Sequence, residues 1–317
     1  MGADRAGLDR ALRRVTVPVG HSNVVVAGVD GSESSLRAVR WAAEEAVRRG
    51  AELRLVHAEL PLPAGVPDAS GTARRALHDE AMAWMHDAAA AVKKIAPALD
   101  FETRVEVTAE AWLLEQESET AAVLVVGSRG LGGFTGLPLG SVAIALSSSS
   151  RCPVVIVRGE ECTPDAPVIA GVDGAPENWL VVDRAFEEAA ARGTSLVAVH
   201  AWTPPFGDED FAASVGIRWS ELGAVRESRV AQRLAACAHR HPDVLVEQYV
   251  LHGSPAARLV EFGACASLLV VGLHGGGRPS GMELGATSHA VMQFAPCPVL
   301  LVRPGLTEQV GHTRRVV

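Results

Sequence analysis

The chain has 317 residues, 48% of them hydrophobic, with a formal net charge of −8 and a pI near 5.8. That length suits about two ordinary domains with ample core for both. The basic residues are scattered and outnumbered, which excludes the footprint of a nucleic-acid binder, and no apolar run approaches the ~20 residues that cross a bilayer as a helix. Lys93 and Lys94 are the only lysines, so a Walker-type P-loop is excluded as well.

Residues 1–22 precede the first strand; Leu8, Ala11, Leu12 and Val15 at helical spacing suit either a short amphipathic helix or a disordered tail. The charges in MGADRAGLDRALRR stand where a secretory signal needs an apolar core, so the cytoplasm is the expected compartment. A strand opens at Asn23 and ends in Asp30-Gly31-Ser32, with Ser32 or Ser34 as candidate cap of a helix from Leu36 to Arg48 that Gly50 stops. A strand over Glu52–Ala58 follows, then a proline-rich loop through Pro67 and a long helix from about Thr72 to Ile95. Next come a strand near Phe101–Val107, a short helix over Ala109–Glu119, an apolar strand over Ala121–Val126, a helix from Ser141 to about Ser149, and a last strand, CPVVIVR, from Cys152 to Arg158.

After an acidic, proline-containing linker (159–167) the pattern begins again. GVDG at 28 returns at 171, an offset of 143 (171 − 28), and CPVVIVR at 152 returns as CPVLLVR at 297, an offset of 145 (297 − 152). This reads as a duplication. Each copy alternates strand and helix, so right-handed crossovers predict a mainly parallel five-stranded sheet with helices on both faces. The expected domains are 23–160 and 161–305, with an extension at 1–22 and a tail at 306–317.

The chemistry gathers at two glycine loops. The first runs Gly127-x2-Gly130-x9-Gly140-Ser141 and leaves an apolar strand to enter a helix; the second repeats it as Gly272-x2-Gly275-x9-Gly285, followed by Ala286. Bare backbone N–H groups at a helix N-terminus, with the Ser141 hydroxyl, suit a phosphate, whereas a single such loop equally serves a turn. Ligands of such sheets bind beyond the strand C-termini at the switch in strand order. Asp30 and the Gly127 loop therefore share one crevice only if their strands are neighbours.

These motifs resemble the nucleotide-binding members of the universal stress protein family in their tandem form, over about residues 22–158 and 167–304. The family pattern G-2x-G-9x-G-(S/T) is matched in full by the first copy and broken at Ala286 in the second. The resemblance implies two tandem adenine-nucleotide α-hydrolase-like (Rossmann-like) α/β domains and ATP as ligand, with Mg2+ accompanying the phosphates. It implies that Asp30 and Asp173 contact the adenosine portion with Val29 and Val172 beside them, that Ala58 and Ala201 line the adenine pocket, and that Gly127, Gly130, Gly140 and Ser141 hold the phosphate end; Arg129 and Val142, beside them, are further candidates. Gly272, His274, Gly275, Gly285, Ala286 and Thr287 take the matching places in the second copy. It further implies pairing through the last strands, a possible homodimer, and a stress-response regulator read by an unknown protein partner.

Read singly, Asp30 before glycine is equally a turn residue; its return as Asp173 favours a ligand role, and a carboxylate accepts from ribose or amine donors but repels phosphate. Arg129 either leans over a phosphate or points to solvent. His57 and His200 suit satisfied core or rim side chains, Cys152 and Cys297 small core residues, and His239 and His241 lack a third ligand for zinc. No G-x-S-x-G elbow and no placed general base is present, so the expectation is no enzyme. A slow ATPase, or an interaction module with incidental nucleotide, is the alternative. The loss of a hydroxyl at Ala286, and Glu283 in place of Pro138, predict a weaker second site, with Arg278, Thr287 and Ser288 as possible compensation.

Overall fold

The computed structural model describes residues 23–303 apart from 63, 64, 67, 69, 132–138, 161, 164, 175–178, 205–207 and 274–283. The expected N-terminal helix or tail lies outside the described residues.

The first half runs β1 (Val24–Gly28), α1 (Glu33–Arg49), β2 (Glu52–Glu59), α2 (Thr72–Ile95), β3 (Phe101–Val107), α3 (Glu110–Ser118), β4 (Val123–Gly127), α4 (Ser141–Ser149) and β5 (Val154–Val157). The second runs β6 (Val168–Gly171), α5 (Trp179–Arg192), β7 (Leu196–Trp202), α6 (Glu209–Ser214), α7 (Trp219–Ala238), β8 (Val246–His252), α8 (Pro255–Gly263), β9 (Leu268–Gly272), α9 (Ala286–Phe294) and β10 (Val299–Val302). Local chemistry sets the helix ends. Ser32 caps α1 by accepting from the Ser35 N–H, and Gly50, at φ 57°, closes it in the left-handed region. The last strand of the first half is shorter than expected because Pro153, which has no N–H to give a ladder, stands ahead of it. Among the described residues helix α6 has no counterpart in the first half.

Among the described residues the strands form one ten-stranded sheet in the order β3-β2-β1-β4-β5-β10-β9-β6-β7-β8. All neighbours are parallel except β5 and β10, which pair antiparallel with Val155 opposite Leu300. Each half thus has the expected five strands, and the two sheets are continuous across the expected terminal-strand pair. Alternate side chains of β1 point to opposite layers. Val25 and Ala27 pack with α1 and α2, in a layer that α5 and α7 continue, whereas Val24 and Val26 pack with α3 and α4, in a layer continued by α8 and α9. Cys152 and Cys297 are core residues, and burial pushes both thiols up to about 12.

The seam between halves is also polar. Glu45 on α1 and Glu188 on α5, whose positions differ by the repeat offset of 143 (188 − 45), are both fully enclosed. Arg49 pairs with its own Glu45 and with Glu188, and Arg192 pairs with its own Glu188 and with Glu45 at 2.9 Å. Burial alone would raise the Glu45 carboxyl; Arg192, Arg49 and Arg48 overcome it and hold it at about 2. Across the same seam Arg158 donates to the Met292 carbonyl near the end of α9, and Arg303 donates to the Ser148 carbonyl near the end of α4. These cations meet the carbonyls that a helix end leaves free.

Candidate functional site

The switch in strand order falls between β1 and β4 in the first half and between β6 and β9 in the second. The loops after β1 and β4 therefore do meet. Asp30 follows β1, and its Oδ1 accepts from the Ser32 N–H at 3.0 Å and the Ser32 hydroxyl at 2.7 Å. Its Oδ2 abuts Gly130, where any side chain would run into it. The carboxylate is thus braced by the α1 cap and laid against the glycine loop.

The loop glycines have different reasons for being glycine. At Gly127 a Cβ would lie 2.7 Å from the Ser34 hydroxyl and 2.8 Å from its carbonyl carbon, so the close passage of β4 under α1 requires glycine. Gly130 must leave room for Asp30. Gly140 has neither need: its φ of −75° suits any residue, and a Cβ would find Arg129 Cα, Ser128 O and Gly130 N at 3.5, 3.6 and 3.7 Å, ordinary contacts. Its N–H donates to the Ser128 carbonyl at 2.8 Å. What its missing side chain leaves is bare backbone at the N-terminus of α4, where no side chain caps the helix. The first-turn N–H groups, those of Ser141 and Val142 among them, have no acceptor within the helix. Ser141 is exposed, Val142 half-buried and Arg129 exposed.

From the neighbouring strand, Ala58 is buried and Val29 is buried beside Asp30. His57 donates from Nδ1 to the Val29 carbonyl at 2.7 Å and meets the Trp84 ring edge-on at 5.4 Å, a satisfied rim side chain. Sequence reasoning missed Glu110. It sits in the first turn of α3, and its carboxyl is raised by burial and by the charge of Asp30, with His57 acting the other way. An acidic residue opening a helix is ordinary in a sequence; its closeness to Asp30 depends on the strand order. Pro255 takes its place in the second half (255 − 145 = 110).

The second crevice repeats the frame. His200 Nδ1 donates to the Val172 carbonyl at 2.7 Å, Val172 is buried, and Asp173 and Ala201 are half-buried. Gly272 ends β9, and Gly285 precedes α9 at φ −74° with its N–H on the Leu273 carbonyl at 2.8 Å and no side-chain cap. Ala286 is exposed and Thr287 half-buried in the first turn. Ser288 is a correction: its buried hydroxyl donates to the Gly272 carbonyl at 2.6 Å and faces inward, so it compensates for nothing at Ala286. His274, Gly275, Pro138, Arg278 and Glu283 lie outside the described residues.

Each crevice offers fixed N–H donors at one end and a carboxylate acceptor at the other, a pairing suited to a ligand with an anionic end and a hydroxyl-bearing end. Among the described residues no three His, Cys, Asp or Glu side chains gather as a metal site.

Residues 21–158 and 166–303 both match the model of the universal stress protein family. The chain is 35% identical over 302 residues to a universal stress protein of Mycobacterium tuberculosis strain H37Rv, covering 89% of this chain and 97% of the relative. It is 36% identical over 289 residues to one of Mycolicibacterium smegmatis, covering 88% and 97%. In architecture it is similar to a solved universal stress protein from Archaeoglobus fulgidus DSM 4304, with TM-score 0.63 and 19% identity over 90% of this chain and all of that one.

Proposed function

The chain belongs to the universal stress protein family, carrying the family's domain twice, and from that premise we propose that it binds ATP and acts as a cytoplasmic regulator with little or no hydrolysis. The domains extend over 23–160 and 161–305. In the first, the N–H groups of Ser141 and Val142 and the Ser141 hydroxyl receive the phosphates, with Gly140 leaving the approach bare, Arg129 leaning over them and Gly127 and Gly130 shaping the loop. Asp30 accepts from ribose or the adenine amine, and Val29 and Ala58 line the base. Val172, Asp173, Ala201, Gly272, His274, Gly275, Gly285, Ala286 and Thr287 play the matching parts in a weaker second site. Mg2+ arrives with the phosphates.

The observation that carries this reading is Gly140. Among the described residues neither backbone conformation nor an internal clash demands glycine there, so the bare backbone is explained by something that approaches it from the crevice. A nucleotide-dependent change at the surface is then read by a protein partner. Extraction of freshly purified protein with mass spectrometry should recover ATP; recovery of a flavin or another cofactor instead would refute the assignment.

One observation favours slow hydrolysis as a second reading. Glu110 is held towards its protonated form beside Asp30, the sort of environment that active sites use to tune acids and bases. Phosphate release at ~1 s⁻¹ or faster under saturating Mg-ATP, abolished by Glu110→Gln with binding retained, would establish it over the regulator reading.

A further inference from the structure

A cavity of about 240 Å³ lies at the C-terminal ends of β6 and β7 beneath α7, on the side of the second half away from the β9 glycine loop. Helix α7 turns three arginines into it, Arg226, Arg229 and Arg233, at the three- and four-residue spacing that puts side chains on one helix face. Arg226 stacks its guanidinium 4.2 Å from the centre of the Trp202 ring, and Arg233 donates to the Gly174 carbonyl at 3.2 Å, so two of the three are held in place. Arg229 is exposed at the mouth. Among the described residues of the lining, three are arginines and one, Asp173, is a carboxylate.

Two polar atoms in the wall lack a partner among the described residues. They are Nε2 of His200 and Nε1 of Trp202, in side chains that are 6% and 5% exposed. Because His200 Nδ1 donates to Val172, Nε2 of the neutral ring is an acceptor, and burial together with Arg226 and Arg233 favours that neutral ring. Buried polar groups are nearly always satisfied, by protein, water or ligand. The wall therefore presents one acceptor, one indole donor and a set of guanidinium forks.

The first half does not repeat these arginines at the matching positions of α2. At the repeat offset of 145, Arg226, Arg229 and Arg233 correspond to Ala81, Trp84 and Ala88 (226 − 145 = 81, and so on). There the Trp84 indole packs against His57 and over Gly31, where any Cβ would collide with it. The arginine face is specific to the second copy and is not part of the duplicated nucleotide frame.

We propose that this cavity is a binding site for a small phosphate-type oxyanion, inorganic phosphate or pyrophosphate. Guanidinium forks match phosphoryl oxygens, Trp202 Nε1–H donates to another, and the O–H of a singly protonated phosphate supplies the donor that His200 Nε2 needs. The space of about 240 Å³ has room for a phosphate or pyrophosphate. The site stands independently of the ATP reading, sharing only Asp173 with it.

The test is calorimetric titration of the nucleotide-free full chain with phosphate and with pyrophosphate, to millimolar concentrations. Arg229→Ala with Arg233→Ala should weaken binding by more than about tenfold, while Arg218→Ala, at an exposed arginine at the start of α7 outside the lining, leaves it unchanged. The Trp202 indole N–H resonance, identified by its loss in Trp202→Phe, should shift on adding whichever anion binds. Should the double arginine variant not fold, Arg229→Gln alone, at an exposed position, must weaken binding severalfold. No binding heat and no shift with either anion, affinity indifferent to Arg229 and Arg233, or affinity lost equally in Arg218→Ala would each overturn the proposal. Failure to bind ATP would bear on the nucleotide reading alone.

Discussion

Glu45→Gln should loosen the seam between the halves, and the structure sets the size of the effect. Breaking a buried ion pair by removing one partner costs about 3–5 kcal/mol. Here Arg49 and Arg192 each keep Glu188, and glutamine keeps an acceptor oxygen, which places the loss at the low end, about 3 kcal/mol. The protonation equilibrium gives a similar figure: a carboxyl held at about 2 against an ordinary 4.5 corresponds, at about 1.4 kcal/mol per unit, to roughly 3 kcal/mol. In a domain of this size that lowers the melting temperature by roughly 5–10 °C. The sign of the pH dependence follows from a depressed folded value. The stabilisation is complete above about 4.5, fades as pH falls towards 2, and is absent below it. Melting curves of wild type and variant should therefore differ at neutral pH and converge on acidification. Equal melting at pH 7, or a difference that persists undiminished to pH 2, would refute the reasoning.

Other substitutions separate packing from binding. Gly31→Ala should cost more than Gly50→Ala in denaturant unfolding by at least about 1 kcal/mol. Both positions have positive φ, but only Gly31 would drive its Cβ into the Trp84 indole. Isolated residues 1–160 should dimerise or precipitate, because removing β10 bares the apolar edge of β5, and a stable monomer in sedimentation would contradict this. Ala286→Ser should strengthen the weaker ATP site about tenfold, the worth of one hydrogen bond to a charged group, without changing the stronger one.

Much of the fold was legible because the chain states it twice. The offset repeats exposed the duplication, and the helix over Thr72–Ile95 and strand over Phe101–Val107 have the bounds that periodicity predicts. The glycine loops, Asp30 and Asp173 were visible as motifs, and the pairing of β1 with β4 shows that Asp30 and the Gly127 loop are neighbours. What sequence withheld is side-chain partnership across elements. Glu110 beside Asp30 and the Ser288 hydroxyl on Gly272 depend on which strands adjoin. Glu45 and Glu188 read as ordinary helix-surface charges until α1 is seen against α5. The arginines of α7 were counted among scattered cations, and only the helix face and the loss of the Trp84 counterpart make them a cluster. Helix α6 was hidden in a connection whose proline and glycine content reads as loop, though Asp208 accepts from the Asp210 N–H to start it.

The central claim is that the bare backbone at Gly140 and the hydroxyl of Ser141 receive the phosphates of ATP. Calorimetric titration of the full chain with Mg-ATP, beside its Gly140→Ala, Ser141→Ala double variant, tests it most directly. Two unequal phases in the wild type, with the stronger lost and the weaker kept in the variant, are the predicted result. A strong phase that survives the double substitution, or no binding of ATP at all, would contradict it.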